Sequence, residues 1–107
     1  MTVLEAFKGI NAYPIPQRTI EEVAGRRGVG LTADASAAVL TSGRYRLACA
    51  DLYMWLSFAP DVSQGGQSYS FTDEQRLRFR TMAQAAYAEL EDNRGGGVRY
   101  GYKGSRL

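Results

Sequence analysis

The chain contains no histidine, which removes the commonest general base and the commonest metal ligand. Most hydrolase constellations fall with it. There is one cysteine, Cys49, so no disulfide can form within the chain, and its place in an apolar segment marks it as a small hydrophobe in preference to a nucleophile. No apolar run reaches the ~20 residues that cross a bilayer. The N-terminal MTVLEAFKGINAY lacks the basic start, long apolar stretch and small-residue cleavage site of a secretory signal, and a cytoplasmic location is the expectation. Charge is unevenly placed along the chain. Residues 1–93 hold nine Lys or Arg against eleven Asp or Glu, whereas residues 94–107 hold Arg94, Arg99, Lys103 and Arg106 and no acid.

The carboxylates form no obvious catalytic pair. They fall in helix starts (Glu5, Glu21, Glu22, Asp73, Glu74), in loops (Asp34, Asp61) or at a helix end (Glu89, Glu91, Asp92), where capping or solvation accounts for them. The glycine-containing segments GRRGVG and RGGGVRYGYKG match neither a phosphate loop nor a dinucleotide fingerprint. No enzyme activity, metal or cofactor is expected.

What is present is a compact run from Leu47 to Leu90. LACADLYMWLSFAP, residues 47–60, places Leu47, Cys49, Leu52, Met54, Trp55, Leu56 and Phe58 all round a 3.6-residue helix, and a helix apolar on every side is expected to be buried on every side. It reads as the central helix. Next, in VSQGGQSYSF, Gly65 and Gly66 supply the positive φ of a two-residue hairpin turn. Gln67, Tyr69 and Phe71 alternate with serines as a strand with one covered face does, so a hairpin is expected at about 62–71. Thr72 with Gln75 then forms a capping box ahead of a helix beginning at residue 73, along which Phe79, Met82, Ala83, Ala86, Tyr87 and Leu90 make the dry side. The expected core is Leu47, Leu52, Trp55, Leu56, Phe79, Ala83, Ala86 and Leu90.

Asp51 stands out inside the apolar helix, because a buried carboxylate is costly unless paired. Arg18, Arg44 and Arg46 are its candidate partners, in an ion pair or a helix-capping contact within the chain; a partner on an adjacent subunit is the alternative.

Upstream, Thr2 and Glu5 form a possible capping box for a short helix carrying Val3, Leu4 and Phe7 and stopping near Gly9. Pro14 and Pro16 impose an extended passage. A second helix, from Gln17 to about Arg26, is expected to carry Ile20, Val23 and Ala24 inward, with Thr19 and Glu22 as another capping box and Gly28 or Gly30 as its stop. In LTADASAAVLTSG, Thr32 or Asp34 could cap a short helix, and Thr41 or Ser42 the central one.

The stretch ADLYMWLSFAPDVSQGGQSYSF, followed by the capped helix ending in AQAAYAEL, resembles an uncharacterised prophage-encoded group related to the head-tail connector (adaptor) proteins of tailed phages. The resemblance covers about residues 15–92 and lies in the pattern and order of elements. It implies a structural, non-enzymatic subunit that sits in the host cytoplasm during assembly and in the virion afterwards. Its implied partners are portal and tail-completion proteins and copies of itself in a ring on the portal, with no membrane. The expected fold is mainly α, a bundle of four or five helices with one β-hairpin before the last long helix, over residues 1–93.

The basic tail, residues 94–107, interleaves Val98, Tyr100 and Tyr102 with five glycines, a composition too flexible to fold alone. Three readings stay open: a solvated end, an arm that orders on a neighbour through Tyr100 and Tyr102, or a nucleic-acid-contacting arm. The residues expected to reach partners are Gln64, Gly65, Gly66, Gln67, Tyr69 and Phe71 of the hairpin and Arg99, Tyr100 and Tyr102 of the tail. The rival functions are a small nucleic-acid-binding protein using that tail, disfavoured because the body is net acidic, and a helical regulatory or dimerisation module.

Overall fold

The structure is a computed structural model that describes residues 1–95, with side chains through Glu91. It is mainly α, with five helices and one hairpin among the described residues: α1 (Val3–Lys8), α2 (Gln17–Arg27), α3 (Ala37–Leu40), α4 (Gly43–Leu56), β1 (Val62–Gln64), β2 (Gln67–Tyr69) and α5 (Asp73–Gly95).

Each helix start has an identifiable partner for its orphan N–H groups. The Thr2 and Glu5 capping box opens α1, and the carbonyls of Ala33 and Leu31 accept from Val3 and Leu4 at 3.0 Å each, which moors α1 to the loop before α3. No capping box forms at Thr19 and Glu22. Helix α2 begins at Gln17, as expected, directly behind Pro16 and without a side-chain cap, so Thr19 is already inside it. Its C-terminus is a Schellman motif: Gly28 adopts φ +71, and the Gly28 and Val29 N–H groups donate to the Gly25 and Ala24 carbonyls. Ser36 caps α3 in place of Thr32 or Asp34. Ser42 caps α4 through Tyr45 N–H, and Thr72 and Gln75 bond reciprocally at the start of α5.

Helix α4 is the centre of the molecule and packs most extensively on α5. The two run in opposite directions, since Arg46 meets Glu89, Asp51 meets Tyr87 and Tyr53 stacks on Phe79. On another side, Ala48 and Leu52 close over Val3, Phe7, Ile20, Val23 and Ala24 of α1 and α2. At the far end, Leu56 and Ala59 form a second cluster with Tyr13, against which Tyr53, Trp55, Val62, Tyr69, Phe71 and Phe79 pack.

The expectation that α4 is buried on every side fails. Leu47, Ala48, Ala50, Leu52 and Leu56 are buried, but Cys49, Met54 and Trp55 are half-buried, and Phe58, beyond the end of the helix, is 70% exposed. The physical reason is coverage: the other four helices, two of them short, and a hairpin of three-residue strands leave part of a 14-residue cylinder uncovered. On α5, Ala83 is buried, Phe79, Ala86 and Leu90 are half-buried, and Met82 is 43% exposed, outside the dry side assigned to it. Helix α5 also continues to Gly95, so the change of composition after residue 93 is not an end of secondary structure.

Candidate functional site

Two arrangements concentrate the side chains that could carry function. The first is the hairpin and its root. Gly65 and Gly66 have φ +62 and +80, the pair of positive values that a type I′ turn needs, and the register Val62–Tyr69, Ser63–Ser68, Gln64–Gln67 follows from that two-residue turn. Residues 63–68 are all exposed. The root is held by Tyr13, whose ring lies edge-on to Tyr69 at 6.3 Å and stacked on Phe71 at 5.4 Å, while its hydroxyl donates to the Pro60 carbonyl at 2.5 Å. Burial raises the Tyr13 pKa, so the hydroxyl remains a donor. Phe71 completes the stack edge-on against Phe79 at 4.9 Å.

Tyr69 and Phe71 are half-buried and pack against the second cluster, which fastens the hairpin to the body. Gln64, Gly65, Gly66 and Gln67 remain as an exposed tip. Tyr13 was the residue the sequence reading passed over; the extended run between Pro14 and Pro16 hid that the tyrosine before it is buried. Arg99, Tyr100 and Tyr102 lie outside the described residues.

The second arrangement is polar. Asp51 of α4 accepts from Arg27 Nε at 2.7 Å and Nη2 at 2.9 Å, and from the Tyr87 hydroxyl at 2.5 Å. The Asp51 and Arg27 side chains are 12% and 23% exposed, and Glu91 approaches Arg27 at 3.9 Å. None of the three expected partners meets Asp51: Arg46 pairs with Glu89 at 2.8 Å, Arg44 lies beside Gly28, and Arg18 is exposed on the first turn of α2. The partner is within the chain, and the reason is the Schellman turn, which ends α2 where Arg27 reaches across to α4. Partial burial pushes the Asp51 carboxyl up, but the Arg27 and Tyr87 hydrogen bonds outweigh it and leave the group below the ordinary aspartate value. The same hydrogen bond raises Arg27, and burial first, then Asp51, raises Tyr87.

Chemically, the polar cluster is a clamp. Asp51 has its oxygens occupied by a permanent cation and a phenol, the opposite of a base awaiting a proton. Cys49 stands next to the Tyr45 hydroxyl, and burial pushes its thiol up, away from the thiolate that nucleophilic chemistry needs. Among the described residues no group of three His, Cys, Asp or Glu side chains could hold a metal ion, and no helix is long and apolar enough to cross a membrane.

Compared with family models, with curated proteins and with solved structures, the chain matches none.

Proposed function

We propose that this protein is a structural connector subunit of a tailed-phage or prophage virion, acting by protein contact in a ring on the portal. The observation that carries the reading is the hairpin: an exposed four-residue tip, residues 64–67, mounted on an aromatic root built from Tyr13, Tyr69, Phe71 and Phe79. A two-stranded hairpin is marginal in water by itself; here packing has stiffened it into a projecting element, which suits insertion against a neighbour. The order of elements supports the same reading, with a central helix, a hairpin and a capped closing helix following one another in the sequence the resemblance implies.

The test is co-expression with the portal protein encoded in the same genome, followed by electron microscopy of the purified complex. Ring-shaped density on the portal is expected, weakened by Gly65→Val with Gly66→Val while the helical circular dichroism is retained. A gene neighbourhood of metabolic enzymes, with no portal, capsid or terminase gene, sinks the proposal.

A further inference from the structure

The hairpin has an open edge. Among the described residues its sheet has two strands, so each strand keeps one side of its backbone unpaired. Gln64 and Gln67 flank the two-residue turn and exchange hydrogen bonds with each other, which turns the N–H and C=O groups of the next residue of β2, Ser68, and of Ser70 two positions on, away from β1. Both serines are exposed, and neither makes a backbone hydrogen bond outside the hairpin among the described residues. Open edges are ordinarily guarded by charge, proline or a bulge. Here no charged residue or proline occurs from Val62 to Thr72, and the register is unbroken. The charges stand just outside: from Asp61 to Arg76 the acids are Asp61, Asp73 and Glu74, against the single base Arg76. Arg76 is held by Asp61 at 3.3 Å, whereas Asp73 and Glu74 are exposed and form no ion pair among the described residues.

We infer that the outer edge of β2 accepts residues 98–102 of a second copy of this chain as an added strand, joining subunits head to tail. In the sequence Val98, Tyr100 and Tyr102 alternate with Arg99, Gly101 and Lys103, the period of a strand with one apolar and one basic face. Paired strands set their side chains on common faces. The apolar face then continues the side of the sheet on which Tyr69 packs, and Arg99 and Lys103 come beside Ser68 and Ser70, within reach of Asp73 and Glu74. Reach and charge decide the occupant. From β2 the chain enters α5, whose 23 residues from Asp73 to Gly95 carry it about 33 Å away. Tyr100 follows Gly95 by five residues, at most ~18 Å of extended chain, so a subunit's own tail cannot lie along its own β2. A second hairpin would set acids against acids, whereas residues 94–107 carry four bases and no acid. A contact between unlike patches at opposite ends of one molecule is heterologous, and repetition with a closing rotation makes a ring. The inference rests on the ring reading above and names its subunit contact.

The probe is a synthetic peptide of residues 94–107, titrated into the full ¹⁵N-labelled chain carrying Tyr100→Ser and Tyr102→Ser so that its own tail does not compete. Saturable shifts of the Ser68 and Ser70 amide resonances are expected, with a Kd of about 0.1–1 mM and slowed hydrogen exchange at both amides. Such a contact is weak singly and sufficient when a closed ring ties several together. A peptide with Val98→Ser, Tyr100→Ser and Tyr102→Ser should not bind. One with Arg99→Glu and Lys103→Glu should bind about tenfold more weakly, and the difference should fade with added salt. Neither peptide alters the folded chain, so the result does not depend on a substitution in the hairpin. No shift at Ser68 and Ser70, shifts confined to another face, or equal binding of the serine peptide overturns the proposal. So do shifts at these amides on concentrating the tail-substituted chain alone, which would make a second hairpin the occupant, or slow exchange at them in the dilute monomeric parent, which would make the pairing intramolecular. The titration uses only copies of this chain, so its failure leaves the portal experiment standing, and absence of a portal ring with these shifts intact would remove the connector role and keep the subunit contact.

Discussion

Replacing Asp51 by asparagine keeps the shape of the side chain and removes the charge that joins three helices, so its consequence can be worked from the contacts. Asp51 accepts two hydrogen bonds from Arg27 and one from Tyr87, all between 2.5 and 2.9 Å. Breaking a fully buried ion pair costs ~3–5 kcal/mol; with Arg27 23% exposed, water screens part of that, and a loss of about 2–3 kcal/mol is expected. A domain of this length has a total stability of roughly 5–15 kcal/mol, so the loss is readily measured by urea unfolding. The cycle Asp51→Asn, Arg27→Met and the double variant should return a coupling of at least about 1.5 kcal/mol, since the residues touch. The pH dependence has a definite sign. The folded carboxyl titrates below its ordinary value of 3.8, because hydrogen bonds from Arg27 and Tyr87 outweigh the upward push of burial. Its contribution is therefore full above that value and lost as pH falls through the lower folded value. The stability gap between the parent and Asp51→Asn should be constant near neutrality and shrink only below about pH 4. A variant within about 0.5 kcal/mol of the parent, the range of an ordinary surface change, or a gap that closes between pH 5 and 7, would refute the clamp.

Three further outcomes are expected. Trp55 is half-buried, edge-on to Tyr13 at 5.8 Å, so Trp55→Ala should cost about 2 kcal/mol, below the ~3–5 of a fully buried aromatic, with a fall of roughly 10 °C in the thermal midpoint; a change of only 1 or 2 °C would show that the ring contributes nothing to the second cluster. Tyr13→Phe deletes the hydrogen bond to the Pro60 carbonyl and should cost about 1 kcal/mol while sharpening proteolysis at residues 60–70; unaltered cleavage there would mean the hairpin root does not depend on that bond. The intact chain should bind DNA negligibly at physiological salt, and Tyr100→Ala with Tyr102→Ala should weaken partner contacts instead; sub-micromolar affinity that falls steeply with salt and vanishes on truncation after Gly95 would promote the nucleic-acid reading.

The elements legible in the sequence were those set by local chemistry. The box at Thr2 and Glu5, the box at Thr72 and Gln75, the glycine pair of the turn and the glycine that stops α2 each involve residues within a few positions of one another, and each forms as the pattern required. At Thr19 a local rule misled, because it competed with a second one: Pro16 presets the helical φ of a start and brings the helix in before the threonine could cap it. Ser36 was passed over for a similar reason, since LTADASAAVLTSG offers several small polar residues of nearly equal capping strength and the choice among them falls to where α1 docks on the loop.

Burial was less legible, and the reason is geometric. Apolar residues around a whole helix state what could be covered; the number of neighbouring elements determines what is. Phe58 and Met82 are apolar by composition and wet by position, and no period of the sequence distinguishes them from Leu56 or Ala83.

The candidate site divides along the same line. That Asp51 needed a cation followed from one residue in an apolar helix, but the identity of that cation depends on which end of α2 lies against α4. Arg44 and Arg46 are on the same helix as Asp51 and are its nearest arginines in sequence. On α4 they stand seven and five residues before it, and only the former separation approaches a whole number of turns, about 10 Å away along the axis. Neither reaches the carboxylate. Arg27 is 24 residues distant and reaches it because Gly28 reverses the chain at that point with a positive φ that L side chains rarely adopt. The glycine thus sets two things together: it ends the helix, and it fixes the last-turn arginine over the middle of α4. Substituting Gly28 by a β-branched residue should therefore weaken the Asp51 pair as well as the helix end, and the coupling measured between Asp51 and Arg27 should fall in the Gly28→Val background. An undiminished coupling there would show that packing of α2, and not its terminating turn, positions the arginine.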